Sequence, residues 1–153
     1  MTLAAQLEMK HEAEKRALSA AMARCWKLVH SMSEAKPAEA ERTSQLLGEM
    51  VKQIPKLPLE FTRKMLADAR GFECASNMRA VDGALRLAWE KARRGEAAER
   101  NRLLAEARKF RSKAMGLGAE ANFELAAERR IEIILMTGGM DHKGPTLAKP
   151  GIG

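Results

Sequence analysis

Apolar residues recur along most of this chain at alternating steps of three and four, the spacing that gathers side chains on one stripe of an α-helix. The first run, Leu18, Met22, Cys25, Val29 and Met32, predicts a helix over residues 3–32. Leu3 and Leu7 prolong its stripe more weakly, and the charged block 8–16 reads as a solvated section. Residues 33–36 have loop character, and Pro37 suits the first turn of the next helix, where its missing N–H would have no partner in any case. That helix is predicted over 37–53 and directs Ala40, Leu46, Leu47, Met50, Val51 and Ile54 to the core. The sequence Ile54-Pro55-Lys56-Leu57-Pro58 then predicts a rigid elbow, because each proline drives the residue before it out of the helical region.

A third helix is expected from Pro58 to about residue 70, with Phe61, Met65, Leu66 and Ala69 facing inward and Gly71 punctuating. The cleanest stripe follows: Cys74, Met78, Val81, Leu85, Ala88 and Ala92, flanked by Trp89. It spans under three heptads, which suits one seam of a bundle better than a coiled coil. Gly95 fits either a helix stop or a fault in a helix that continues. Residues 96–115 place Leu103, Ala107, Phe110 and Ala114 on one face, and Gly116-Leu117-Gly118 allows a sharp reversal. A last helix over 119–136 buries Phe123, Ala127, Ile131 and Ile134 and ends at Gly138-Gly139.

The expectation is therefore an all-α, multi-helix bundle of five or six helices over residues 1–139, followed by a flexible Gly/Pro/Lys tail over 140–153. Composition agrees, since the apolar share leans on Ala, Leu and Met, and Tyr is absent. No apolar run reaches the ~18 residues of a membrane span and the N-terminus lacks a secretory apolar region, which points to a cytoplasmic protein with no membrane partner. Two cysteines far apart read as reduced thiols packed in the core.

Candidate chemistry is sparse. There is no phosphate-binding glycine loop, nucleophile elbow, paired-His zinc helix or calcium loop. Cys25 and His30 diverge by about 140° on a helix and do not converge on one metal. Glu8 and His11 match a Glu-x-x-His pair, but a di-iron bundle needs that pair twice, and the sequence holds one. The reading is that of a non-enzymatic protein without metal or cofactor.

Charge supplies the one strong functional signal. Residues 86–113 carry ten Lys and Arg against four Glu, a surplus of +6 in a chain whose net charge is +7. Arg93, Arg94, Arg100, Arg102, Arg108, Lys109, Arg111 and Lys113 are the candidate contacts to a nucleic-acid backbone or to an acidic protein partner. Arginine outnumbers lysine, which suits planar recognition of phosphate or carboxylate. No outward aromatic interleaves the cations, so base stacking is not expected. Glu120, Glu124, Glu128 and Glu132 follow at steps of four, and a reversal at 116–118 would fold them against the basic helix and neutralise part of it. Two functions stay open: an accessory or regulatory factor that contacts backbone phosphates, or an adaptor or assembly subunit that binds an acidic partner or itself.

Overall fold

The computed structural model describes residues 2–139; the tail expected over 140–153 lies outside the described residues. Among the described residues the chain forms five helices and no strand: α1 (Leu3–Ser31), α2 (Pro37–Gln53), α3 (Leu59–Arg93), α4 (Ala97–Gly116) and α5 (Ala121–Thr137). The protein is all-α, as its periodicity requires. The helices group into two compact units, Met1–Phe72 and Glu73–Gly153, and the boundary falls inside α3.

In the first unit, α1 opens on Thr2, whose Oγ1 accepts a hydrogen bond from the Ala5 N–H at 3.1 Å and satisfies one of the orphan donors of the first turn. Its stripe buries Cys25, Val29 and Met32 against Ala40 and Leu47 of α2 and Met65 and Ala69 of α3. Trp26 meets Phe61 edge to face at 5.8 Å, which joins the rim of α1 to the first turn of α3. Pro37 occupies the first turn of α2 as its chemistry dictates. The elbow after Gln53 is sharp enough to hold Lys56 at φ 65°, a left-handed conformation uncommon for a lysine.

In the second unit the latter part of α3 packs with α4 and α5. Val81, Leu85, Ala88, Leu103, Leu104, Ala107, Ala127, Ile131 and Ile134 form its core. The two isoleucines are fully buried and contribute about 2 kcal/mol each by removal from water. Gly95 ends α3: at φ 73° it lets the Glu96 N–H bond back to the Lys91 carbonyl at 2.9 Å, six residues to one. Gly118 ends α4 in the same way, with the Ala119 N–H on the Ala114 carbonyl at 3.0 Å. After α5, Gly139 at φ 77° brings the chain back against α3. A Cβ there would lie 2.8 Å from both the Arg93 nitrogen and the Trp89 oxygen, so only glycine permits the approach.

Two expectations are corrected. Gly71 does not divide α3, which runs 35 residues without interruption. A helical glycine costs only about 1 kcal/mol relative to alanine, less than breaking a helix whose flanks bury Ala69 on one side and Cys74 on the other. Leu46 is 49% exposed and Leu66 38% exposed, because each sits at the edge of a stripe already filled by its neighbours Leu47 and Met65. Cys25 and Cys74 are both buried thiols, as expected, and they belong to different cores.

Candidate functional site

The basic stretch runs through the end of α3, the Gly95 turn and α4, all within the second unit. Helix α4 alone carries six cations (Arg100, Arg102, Arg108, Lys109, Arg111 and Lys113) against two carboxylates (Glu99 and Glu106), a net +4. Its core face is set by Leu103, Leu104, Ala107 and Ala114; Arg102, Arg108, Lys109 and Lys113 lie on the remaining circumference, while Arg100 and Arg111 share the angular sector of the core face. The structure sorts them into three groups.

The first group faces α5. Arg111, with a side chain 17% exposed, makes a direct ion pair with Glu128, and Arg108 approaches the same carboxylate oxygen at 3.7 Å. One glutamate of the expected ladder thus takes two guanidinium groups. Glu120 occupies the N-cap position of α5 without a side-chain cap hydrogen bond, and Glu124 and Glu132 stand exposed. Among the described residues, neutralisation across the reversal involves Glu128. The expectation that Arg111 points freely outward is corrected, because the arginine lies between Leu104 and Ala114 in angular position and is drawn into the α4–α5 contact.

The second group is paired along its own helix. Arg102 donates from Nε and Nη2 to Glu99 Oε2 at 3.2 and 3.0 Å and from Nη1 to Glu106 Oε1 at 3.2 Å. The hydrogen bonds from Arg102 hold the Glu99 carboxyl below its ordinary value, and the same contacts raise the guanidinium further. Arg93 reaches Glu90 at 3.6 Å and lies over the Trp89 ring at 4.8 Å, while Lys91 pairs with Glu96 at 3.1 Å. These are exposed pairs, worth at most about 1 kcal/mol and readily exchanged for another anion.

The third group has no carboxylate partner among the described residues. Arg94, Lys109 and Lys113 are exposed, and Arg100 donates only to the neutral Asn101 side chain, at 3.1 and 2.9 Å. Lys109 and Lys113 are one helical turn apart, and Arg102 lies in the same angular sector. Together they form an outward basic stripe on α4.

One functional-looking cluster escaped the sequence reading. Arg130 of α5, 3% exposed, donates from Nη1 to Asp82 Oδ1 of α3 at 2.9 Å, and Asp82 Oδ2 also accepts from Arg86 Nε at 3.0 Å. Burial lowers the Arg130 pKa more than Asp82 restores it. Nε and Nη2 of Arg130 find no acceptor among the described residues. A signal was present: Phe123, Ala127, Arg130 and Ile134 step by four, three and four, placing the arginine on the apolar stripe. Arg111 sits on the α4 stripe by the same count, after Leu104 and Ala107.

Among the described residues no three His, Cys, Asp or Glu side chains come together as a metal site, and no helix is long and apolar enough to cross a membrane. Comparison with known protein families, with curated proteins and with solved structures finds no match.

Proposed function

We propose that this is a non-enzymatic basic helical protein whose α4 face binds an extended polyanion, foremost the phosphate backbone of a nucleic acid, in an accessory or regulatory role. The observation that carries the reading is the outward stripe itself. Among the described residues Lys109 and Lys113 have no carboxylate partner, nor has Arg94 just after α3, and Arg102 is held only by exposed pairs that a phosphate can replace. The lack of outward aromatics on the stripe favours backbone contact without base stacking, hence weak sequence preference.

The test is the salt dependence of binding to a random-sequence duplex and to a single strand. Each cation that neutralises a phosphate contributes about 0.9 to the slope of log affinity against log salt on duplex DNA. Changing Arg94, Lys109 and Lys113 to Gln should flatten that slope by up to about 2.7 and leave helicity unchanged, since none of the three is buried. Arg108 and Arg111 are excluded from the set because their removal also unpairs Glu128. Absence of binding at low salt, or an unchanged slope in the triple variant, overturns the reading.

A second reading is supported by the Glu128 pairing. It shows that carboxylates can engage arginines of α4, and the outward Lys109 and Lys113 offer an acidic protein surface further cations of the same helix. An adaptor of this kind binds the acidic partner with the same Lys109 and Lys113 dependence but shows no affinity for nucleic acid at low salt.

A further inference from the structure

Helix α1 is 29 residues long, about 43 Å, yet its buried residues are Ala21, Cys25 and Val29. No residue from 2 to 20 is buried, and Leu3, Leu7 and Met9 are 72%, 57% and 58% exposed. About five turns of helix therefore carry no fully buried side chain. At the root of this segment lies a groove of about 450 Å³ whose lining includes His11, Glu14, Lys15, Leu18, Ile54 and Pro55.

The unpacked face has an internal symmetry. The packed stripe of α1 continues toward the N-terminus as Met22, Leu18, Glu14, His11, Leu7 and Leu3. Those six positions are symmetric about a point between residues 12 and 13. An antiparallel copy of the same helix, related by a two-fold axis at that point, sets Leu3 opposite Met22, Leu7 opposite Leu18 and His11 opposite Glu14. On the flank of the same face it sets Glu8 beside Lys15. At the six stripe positions each apolar residue meets an apolar one and Glu14 meets His11, and each pairing occurs twice, as an isologous contact demands. The opposed leucines enter at the groove.

From this complementarity we infer that the protein self-associates through α1, each copy laying the exposed N-terminal half of its helix antiparallel along the root of the other. The surface is distinct from the α4 stripe and belongs to the first unit alone.

The experiment is the molar mass of the full chain by light scattering or sedimentation across a concentration series. The expected species has twice the 16.9 kDa of one chain. Leu7→Glu should weaken the dimer by at least about tenfold while its circular dichroism spectrum is kept, because Leu7 touches no core. Glu8→Lys should weaken it as well, and the swap Glu8→Lys/Lys15→Glu should restore it, a rescue that requires the antiparallel register. A chain that stays monomeric throughout, a dimer indifferent to Leu7→Glu, or a charge swap that fails to rescue each overturns the inference.

Discussion

Asp82→Asn is expected to be among the most destabilising conservative substitutions in the second unit. Arg130 is 3% exposed, and its one carboxylate contact is Nη1 to Asp82 at 2.9 Å. Neutralising Asp82 leaves a buried guanidinium whose other nitrogens already lack acceptors among the described residues. Removing one member of a buried ion pair costs about 3–5 kcal/mol. The Asp82 side chain is 33% exposed, so water can reach the site, and the figure is discounted to about 2–3 kcal/mol. Arg130→Met removes the charge together with its desolvation penalty at similar volume and should change stability by no more than about 1 kcal/mol in either direction. The double variant should then resemble Arg130→Met alone, a coupling of about 2 kcal/mol. Each unit contains one tryptophan, Trp26 or Trp89, so a Trp26→Phe background lets Trp89 fluorescence report urea unfolding of the second unit. Equal costs for Asp82→Asn and Arg130→Met, or a cost below about 0.5 kcal/mol for Asp82→Asn, would refute the reasoning, because either outcome means the charge is not uncompensated when its partner is removed.

Two further expectations test the close packing. Gly139→Ala should destabilise the second unit by about 1–2 kcal/mol more than Gly138→Ala. Both positions have positive φ, but only the former Cβ meets backbone atoms of α3, at 2.8 Å, and equal effects in thermal unfolding would remove the contact from the account. Cys25 and Cys74 should both react with a thiol reagent at least about a hundredfold more slowly in the native protein than in urea. Burial pushes the Cys25 thiol above its ordinary value, outweighing the opposite pull of Arg24, so thiolate appears only at more alkaline pH than for a free cysteine. Because the two thiols sit in different cores, each rate reports the opening of its own unit, and fast native labelling of either would place that thiol outside its core.

Much of the architecture was legible in local chemistry. Pro37 marks the start of α2, Gly118 closes α4, and Gly138 closes α5 in the left-handed conformation expected of a terminating glycine, whereas Gly95, open between a stop and a fault in the sequence, proves to be the stop of α3. The stripes through Cys25, Val81, Ala107 and Ile131 became the buried faces. Each of these follows from the backbone freedom of one residue or from a period of 3.6, quantities that need no knowledge of what the helix packs against. Gly71 was misread because a propensity of about 1 kcal/mol competes with the packing of a whole helix, and packing wins. The basic stretch was legible as composition, but which of its cations remain available was not. That Arg111 is drawn to Glu128, 17 positions on, while Lys109 faces outward depends on which side of α4 meets α5. Arg130 and Asp82 are 48 residues apart, and only the docking of α5 on α3 makes one the counter-charge of the other. Periodicity assigns a residue to a face; a charge acquires its partner, or goes without one, only when two faces meet, and the energy of that choice falls off over a few ångströms.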